Sequence, residues 1–385
     1  MTVSNTLTSV VPTLFAQGLK SLRSNCVMPR LVNSDFSADA KEKGDTISVP
    51  IPSAISVTDV APAAYAPDSG NISPTTATIP LSNWKEAAFT LSEKEIANAV
   101  AGIAPVQLTS AVEAMATTIN LSILNLYSGV YGYVGTAGAT PFASDITAAT
   151  QARKVLGQQR APTGNRRIVL NPDAEANALS LSAFYGALNS ADPAVITEGL
   201  IGRKFGFDWA MDQQVPTQTA GTITTGLIAK ASTVQAIGVT SVTATTAAST
   251  GACALLKGDI ILFSGDTQTY ALTANATQAS AATDVTLTIT PAKKVALAGS
   301  ETITVKASHV VNLAFHRDAF AFASRTLKDD NLGVNIENEM QMADPVSGLT
   351  LRLSVREEYR RIRWAFDVLW GVGLIRPELA CRIAG

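Results

Sequence analysis

The apolar residues of the chain follow two different periods, and each period predicts a different kind of element. Between Leu108 and Leu126 they recur every three or four positions, which predicts one long helix with a single apolar stripe. Residues 349–355 and 362–370 instead alternate apolar with polar positions, which predicts two long strands that share one apolar face. Since both surfaces must be buried, we expect the helix to lie on the sheet.

Residues 1–35 form a predicted N-terminal arm with a helical apolar pattern. Its apolar positions are Leu7, Val10, Val11, Leu14, Phe15, Leu19 and Leu22, and its charges before Asp35 are Lys20, Arg23 and Arg30. Two interpretations stay open. The arm is either a helix that packs on the chain's own core or a segment that docks on a partner.

Residues 36–90 are predicted to form an extended hairpin. Residues 46–50 and 75–81 alternate as strands do, and the intervening residues 60–74 are rich in Ala, Pro, Ser, Asp and Gly. A two-stranded hairpin with little apolar surface of its own is barely stable alone. We therefore expect this segment to lie on a neighbouring molecule.

Residues 91–128 contain the long helix. Ser92-x-x-Glu95 is a capping box that predicts a helix start, and Pro105 either interrupts this helix or opens the next one in its first turn. The face opposite the apolar stripe carries Thr, Ser and Asn, with Glu113 as the one charge. A face so poor in charge is predicted to be covered by other structure.

Two segments, 129–216 and 306–345, are predicted to form one discontinuous α+β unit. Two polar residues in it, Asp145 and Asn171, are predicted helix caps. Its predicted elements are a helix to Gln159, a strand at 167–170, a helix from Pro172, a turn at 199–207, a strand that ends near Pro216, and a return at 310–322.

Residues 217–305 differ in composition from both flanks, because Thr, Ala, Ser and Val dominate. The predicted strands are 234–242, 260–264, 267–272 and 285–290, with turns at Gly258-Asp259 and Gly265-Asp266. We interpret this segment as a small all-β barrel or sandwich inserted into the α+β unit. Residues 346–385 then hold the long C-terminal strands.

Composition bounds the class of protein. Hydrophobic residues make up 46% of the chain and charged residues 16%, which excludes bulk disorder. A surface poor in charge favours a subunit that buries much of it against neighbours. The formal net charge of −2 gives no sign of a strongly basic nucleic-acid binder.

The cysteines and the apolar runs indicate the compartment. Cys26, Cys253 and Cys381 are far apart and form no C-x-x-C pair, so they predict buried thiols in a reducing cytoplasm. We expect no secretory signal, because the apolar run at 10–16 is short and contains Pro12. We expect no membrane span, because no run of ~20 apolar residues occurs.

Motifs for catalysis or cofactor binding are missing from the sequence: no P-loop and no G-x-S-x-G occur, and Gly129, Gly132 and Gly135 lack dinucleotide spacing. Three polar groups have both a functional and a structural interpretation. They are His309 with His316 (base candidates or strand-edge residues), Asp329, Asp330, Asn331, Glu337 and Glu339 (cation ligands or a solvated loop), and Arg356, Arg360, Arg361 and Arg363 (contacts to nucleic acid or a neighbour, or ion pairs with Glu357 and Glu358). The structural interpretation is simpler each time, so no catalytic, cofactor-binding or metal residue is assigned.

The order of these parts resembles the capsid fold of tailed double-stranded DNA bacteriophages, the Hong Kong 97 type. The segments that carry the likeness are 168–172 (IVLNP) and 201–207 (IGRKFGF), which leads to Val215-Pro216. Residues 257–265 and 287–291 resemble the inserted β domain of coat proteins from short-tailed enteric phages, and residues 363–378 resemble the closing strand of those proteins. The insertion is shorter here and its surface residues differ, so the contacts of that domain are not transferred.

The resemblance implies an α+β phage major-capsid fold. Its implied parts are the arm (1–35), the extended hairpin or E-loop (36–90), the spine helix of the peripheral domain (91–128), the axial domain (129–216 and 306–345), the inserted β domain (217–305) and the C-terminal strands (346–385). The tongue-like hairpin is expected to overlap an adjacent subunit, the spine helix to bend between Pro105 and Gly129, and the insertion to act as folding nucleus or brace.

The implied function is a structural subunit, not an enzyme, that self-assembles into hexamers and pentamers of an icosahedral head around double-stranded DNA. Implied partners are further copies of the chain, a scaffolding protein that the arm contacts, a portal protein, in some heads a decoration protein, and the packaged DNA bound non-specifically. No cofactor, metal or membrane is implied. The shell is expected to be assembled in the host bacterial cytoplasm and to become the virion capsid.

Two alternatives belong to different classes. An encapsulin-like nanocompartment shell protein has the same fold but would normally lack such a β insertion. A secreted β-rich binding or surface-layer module would need a signal peptide. An enzyme would have to rely on His309 and His316, and alanine at both residues tests that alternative.

Overall fold

The computed structural model describes residues 26–35, 46–51, 55, 57, 59, 62, 74–92, 103–185, 198–199, 201–222, 226–230, 235–246, 253–278, 283–325, 339–343 and 349–385. Within these ranges the chain forms two large sheets, a closed barrel and a long hairpin. The predictions for residues 1–25, for most of the hairpin connection, and for Asp329, Asp330, Asn331 and Glu337 lie outside the described residues. The side chain of Glu339 also lies outside them.

The elements are numbered along the described chain. The helices are α1 (Met28–Leu31), α2 (Ile103–Leu124), α3 (Thr147–Gln158), α4 (Pro172–Ser180) and α5 (Ser182–Tyr185), with 3-10 turns at Asn125–Gly129, Arg317–Ala319 and Pro377–Leu379. The strands are β1 (Thr46–Ile51), β2 (Thr75–Pro80), β3 (Asn83–Ser92), β4 (Gly132–Gly135), β5 (Arg166–Leu170), β6 (Arg203–Lys204), β7 (Phe207–Met211), β8 (Thr217–Gln218), β9 (Leu227–Ala229), β10 (Ser241–Thr246), β11 (Cys253–Leu255), β12 (Ile260–Phe263), β13 (Thr269–Leu272), β14 (Ala276–Gln278), β15 (Asp284–Thr290), β16 (Thr302–Val305), β17 (His309–His316), β18 (Phe320–Arg325), β19 (Glu339–Ala343), β20 (Thr350–Glu358), β21 (Arg361–Leu374) and β22 (Ala380–Ala384).

The long helix predicted from the apolar stripe is α2, which has 22 residues and continues into a 3-10 turn. Pro105 is its third residue, so it lies in the first turn, where its missing N–H costs no hydrogen bond. Val112, Met115, Ile119 and Ile123 are buried. The helix and its apolar stripe are therefore confirmed.

A five-stranded antiparallel sheet lies against the stripe of α2. Its order is β18-β21-β20-β19, and β3 pairs with the other edge of β21. Trp370 of β21 is buried, and its indole N–H donates a 3.0 Å hydrogen bond to the Ser122 hydroxyl of α2. The predicted packing of the C-terminal strands on the long helix is confirmed.

Two strands of this sheet differ from the sequence prediction. The sequence does not predict β3, because the charged pair Lys85-Glu86 interrupts its apolar alternation. Ser92 is the last residue of β3, and the helix start that it predicts lies outside the described residues. β18 also belongs to this sheet, although the sequence places 310–322 in the α+β unit. The 3-10 turn after β17 carries the chain from one sheet to the other.

A second sheet of seven strands holds the predicted α+β elements, in the order β4-β22-β17-β5-β7-β6 with β8 also paired to β17. Asn171 caps α4 as predicted, since its side-chain oxygen accepts a 3.2 Å hydrogen bond from the Ala174 N–H. Asp145 accepts a 2.8 Å hydrogen bond from the Thr147 N–H but is not the cap that the sequence predicts, because Ile146 holds the N-cap position of α3. The strand predicted to end near Pro216 ends earlier, at Met211.

Six strands between residues 227 and 305 close into a barrel, in the order β10-β15-β13-β12-β16-β9. The barrel has its own apolar core, which includes Phe263, Tyr270 and Leu287. The strand that leads into this segment, β8, pairs with the strand that leads out of it, β17, at Gln218 and His309. Such a junction is expected for an insertion, whereas the limits 217 and 305 stay a prediction.

One barrel strand is misplaced by the sequence. The strand predicted at 234–242 is wrong, because β10 begins at Ser241. The residues before it form turns in which Gly238 has a φ of 87° and Ile237 is 64% exposed. The predicted strands at 260–264, 267–272 and 285–290 correspond to β12, β13 and β15.

The predicted long hairpin is formed by β1 and β2, which pair from Thr46 opposite Pro80 to Ile51 opposite Thr75. Its base packs on the five-stranded sheet through a small apolar cluster. The buried members are Ile47, Ile79, Leu81, Ala321, Ala323 and Leu369. The hairpin is thus anchored at its base and leaves the sheet beyond it.

Gly371 of β21 lies directly beneath the hairpin base, because a Cβ there would lie 2.5 Å from the Pro80 carbonyl oxygen. We expect Gly371→Ala to lower the free energy of unfolding by about 1–3 kcal/mol, because either β21 or the hairpin must shift to make room for the added methyl group. Gly157→Ala in α3 is the matched control. Nothing lies within 4 Å of its Cβ position, so it should raise stability by up to about 1 kcal/mol. Urea unfolding measures the stability of both variants. If the unfolding midpoint of Gly371→Ala equals that of the wild type, the hairpin base does not pack closely on Gly371.

Candidate assembly surfaces and the barrel root

The hairpin presents apolar side chains to solvent beyond the end of β1. Ile55 is 75% exposed and Val57 is 98% exposed. Within β1 and β2 only Ile47 and Ile79 are buried. A single exposed apolar residue is ordinary, but two that lie two positions apart form a surface that another molecule can cover.

The rear face of α2 is exposed in the described part of the chain. Its exposed residues are Ser110, Glu113, Ala114, Thr117 and Leu121. Only one of the five carries a charge, and Leu121 is a large apolar residue. The cover that the sequence predicts for this face does not come from the described residues, so cover by another molecule stays a prediction.

The segment just before the hairpin is fixed to α2 by a buried asparagine. The Met28 N–H donates a 2.9 Å hydrogen bond to the Asn120 side-chain oxygen. The Asn120 amide in turn donates a 2.6 Å hydrogen bond to the Asp212 carboxylate. Residues 26–32 therefore pack on the chain's own core, in agreement with one of the two interpretations of the arm.

The segment in which arginines are most closely spaced, residues 356–363, lies at the turn between β20 and β21. Its ion pairs are Arg361–Glu358 and Arg363–Glu86. Arg360 lies over the ring of Tyr359, which is 88% exposed, and Arg356 is exposed. Ion pairing accounts for two of the four arginines, as the structural interpretation predicts, although one of the acids comes from β3 and not from the hairpin.

One buried arginine connects three parts of the fold. Arg382 of β22 is fully buried, and its guanidinium donates hydrogen bonds to the carbonyl oxygens of Val130 (2.8 Å), Gly258 (2.7 Å) and Ser128 (3.3 Å). Burial lowers its pKa to about 10, so the side chain stays charged at neutral pH. It thereby holds the segment after α2 and a loop of the barrel against β22.

A buried carboxylate completes this connection. We call the group formed by Tyr127, Gln218, Asp259 and Arg382 the barrel root. The Asp259 carboxylate accepts hydrogen bonds from the Gln218 amide (2.8 Å) and from the N–H groups of Gly221 (3.1 Å) and Leu256 (2.8 Å). The Tyr127 hydroxyl donates a 2.8 Å hydrogen bond to the Gln218 side-chain oxygen. Buried polar groups that are paired in this way hold the barrel on the core in one orientation.

The two histidines do not meet, because His309 and His316 are the first and last residues of β17. Nδ1 of His309 lies 2.8 Å from the Ala307 carbonyl oxygen, and His316 accepts a backbone N–H of the following 3-10 turn. Burial lowers the pKa of both rings. Cys26 and Cys381 are buried free thiols, and burial raises their pKa to about 12. The structural interpretation of these histidines is therefore favoured.

The described residues contain no group of His, Cys, Asp and Glu that could hold a metal ion. Among the same residues, no helix combines the length and the apolarity needed to cross a bilayer. The side chain of Cys253 lies outside them, so its predicted burial stays a prediction.

Comparison with known proteins identifies the fold. No protein-family model and no curated protein matches the sequence. A solved structure from Mycobacterium phage Che8 matches with a TM-score of 0.52 and 15% identity, over 93% of this chain and 90% of that chain. A chain of the capsid structure of cyanophage P-SCSP1u matches with a TM-score of 0.51 and 10% identity, over 93% and 88%. The protein therefore has the fold of a phage capsid chain.

Proposed function

We propose that the protein is the major capsid protein of a tailed double-stranded DNA bacteriophage, with a Hong Kong 97 type fold and an inserted β barrel. In this role it is a structural shell subunit of the virion and not an enzyme. The observation that carries the proposal is the likeness to a cyanophage capsid chain over 93% of this chain. The exposed apolar surfaces support the step from that fold to assembly.

Copies of the chain form the hexamers and pentamers of an icosahedral shell. The hairpin end with Ile55 and Val57 lies on an adjacent copy, and burying one such side chain contributes about 1.5–3 kcal/mol. The exposed, charge-poor rear face of α2 is covered by another part of the shell. Both features are surfaces that stay uncovered in a single chain. The assembled shell covers them.

The shell is assembled in the host bacterial cytoplasm around a scaffolding protein, which the N-terminal arm contacts, and beside a portal protein. It encloses the double-stranded DNA genome, and a decoration protein is a further partner in some shells. These partners are proposed from the resemblance of the sequence to the tailed-phage family. The α2 helix bends between Pro105 and Gly129 to fit different lattice positions.

The barrel acts as a brace within this subunit. It enters and leaves the chain at the paired strands β8 and β17, and the barrel root fixes its orientation. An encapsulin-like shell protein would normally lack such an insertion, so the closed barrel favours the phage alternative.

The exposed hairpin residues provide the test. We expect Ile55→Ser combined with Val57→Ser to leave the free energy of unfolding within about 0.5 kcal/mol of wild type, because both side chains are at the surface. We expect the same variant to need at least about tenfold more protein to assemble, since the lost contacts exceed about 1.4 kcal/mol. Sedimentation velocity measures the assembled fraction.

Thr76→Ser, at an exposed position of the same hairpin, is the control and should assemble as wild type does. If the double serine variant assembles at the wild-type concentration, the hairpin does not lie on a neighbouring copy.

A further inference from the structure

A groove lies beside the rear face of α2, between this helix and the residues that follow β7. We call it the α2 groove. It has a volume of about 460 Å³, and its lining residues are Val27, Glu113, Thr117, Met211, Asp212, Gln213 and Gln214. Glu113 and Thr117 belong to the exposed rear face of α2, whereas Asp212 is 4% exposed and lies at the floor. The groove is thus part of the surface for which the described chain supplies no cover.

The α2 groove is acidic. Of the described residues that line it, Glu113 and Asp212 are acids and none is basic. The Asp212 carboxylate accepts hydrogen bonds from neutral donors, the Asn120 amide at 2.6 Å and a backbone N–H at 2.8 Å. Arg30 of the nearby helix α1 donates its Nε–H to the Cys26 carbonyl oxygen and pairs with neither acid. Both negative charges are therefore without a cationic partner in the described part of the chain.

The turn between β20 and β21 presents the opposite charge on a firm support. Glu358 and Arg361 are its last paired residues, so Tyr359 and Arg360 form the tip, and residues 356–361 are all exposed. Arg361 also pairs with the last residue of β3, so ladders on both sides hold the base of the tip. The Arg360 guanidinium lies 5.5 Å from the ring centre of Tyr359, which places the two side chains together.

Two arginines of this turn have no acidic partner among the described residues. The other two arginines of segment 356–363 form ion pairs, whereas Arg356 and Arg360 form none. Glu357 is the remaining acid of the segment. It follows Arg356 in β20, so the two side chains point to opposite faces of the strand. The turn therefore presents two unpaired positive charges beside Tyr359.

The α2 groove and the turn complement each other. The groove contributes two carboxylates and the turn two guanidinium groups, and a groove of this volume holds side chains as large as arginine and tyrosine. Met211 and Val27 provide apolar contact for an aromatic ring. Arginine and tyrosine are also among the residue types that contribute most to protein interfaces.

The turn does not line the groove of its own chain, so the two surfaces can meet only between copies. We propose that the β20–β21 turn of one copy docks in the α2 groove of an adjacent copy, with Arg356 and Arg360 facing Glu113 and Asp212. Because two different surfaces meet, the contact is heterologous and can repeat around a ring or along a lattice. The inference rests on the proposed function and names the part of the shell that covers the rear face of α2.

Reversing the charges tests the contact. We expect Arg360→Glu and Glu113→Arg, each alone, to need at least about tenfold more protein to assemble, because like charges then face each other. The variant with both reversals restores an ion pair and should assemble within about threefold of the wild-type concentration. Sedimentation velocity measures the assembled fraction, and chemical denaturation checks that each variant folds.

Two further variants support the comparison. Arg356→Glu makes the same charge reversal within a strand, so it replaces Arg360→Glu if the tip, where Arg360 has a φ of 58°, does not tolerate glutamate. Lys154→Glu reverses a charge at an exposed position of α3 and should assemble as the wild type does. Lys154→Glu combined with Glu113→Arg should not restore assembly, because these residues do not meet.

The outcomes separate this inference from the proposed function. Shells that form equally well in the wild type and in both single reversals would overturn the inference alone. A loss in Arg360→Glu that Glu113→Arg does not restore would also overturn it, and would assign the turn to another partner, such as nucleic acid. Rings or small oligomers that follow the charge exchange but never close would support the contact and contradict the shell. A chain that stays monomeric contradicts both.

Discussion

Arg382→Ala is expected to lower the free energy of unfolding by about 3–5 kcal/mol, a large share of a typical domain's stability. The substitution removes the donors of three hydrogen bonds to the carbonyl oxygens of Ser128, Val130 and Gly258. Each buried acceptor that loses its partner costs about 1–3 kcal/mol. It also leaves the Asp259 carboxylate in the barrel root without the nearby positive charge.

Two further variants show whether geometry or charge matters. Arg382→Lys keeps the charge, but all its donors lie on one nitrogen and cannot reach the three carbonyl oxygens that the three guanidinium nitrogens reach, so it should recover less than half of the loss. Arg356→Ala removes an exposed arginine and should change stability by less than about 0.5 kcal/mol. Chemical denaturation measures all three. If Arg382→Ala and Arg356→Ala unfold at the same midpoint, the barrel root does not hold the barrel on the core.

Trp370→Ala is expected to cost about 3–5 kcal/mol, because it opens a large cavity between β21 and α2. Trp370 is 1% exposed and also loses its hydrogen bond to the Ser122 hydroxyl. Trp84 in the same sheet is the matched control. It is 62% exposed, although its indole N–H donates a 2.9 Å hydrogen bond to Asp367, so its replacement by alanine should cost about 1 kcal/mol.

The difference between the two tryptophan variants is the quantity to measure, again by chemical denaturation. Equal losses would mean that the sheet is not held on α2 through Trp370. The expected difference would show that Trp370 packs between the helix and the sheet.

Periodic apolar patterns predict the framework of this fold well. The stripe of α2 and the alternation in β20 each reflect one buried face, and burial is what imposes the period, whereas residues 364–371 of β21 are buried on both faces. Asn171 is equally predictable, because a helix cap is a local interaction. β3 is not predicted, because Lys85 and Glu86 interrupt its apolar alternation. Both charged residues are tolerated there because β3 is an exposed edge of the sheet. The strand at 234–242 is misplaced because Ile237 lies in an exposed turn and the strand begins only at Ser241.

The supporting interactions could not be predicted from the sequence. The barrel root joins residues 127, 218, 259 and 382, and its hydrogen bonds exist only after the 3-10 turn that follows α2, β8, β22 and the barrel have come together. The segment 356–363 attracts attention in the sequence only because its arginines are adjacent, and two of them form ion pairs with nearby acids.

The exposed surfaces and the buried residues that hold the fold together have complementary roles in the proposed shell. The hairpin end and the rear of α2 are exposed in the single chain, whereas Trp370 and Arg382 are buried. Substitutions at the exposed residues should therefore change assembly and leave folding intact. Substitutions at the buried residues should change folding first.

Electron microscopy of the purified protein, alone and with a candidate scaffolding protein, tests the central claim most directly. We expect closed shells of regular size, or regular rings of subunits, in which single subunits overlap through the hairpin. A protein that stays monomeric with and without scaffold, over a wide range of salt and protein concentration, would contradict the account of this chain as a shell subunit.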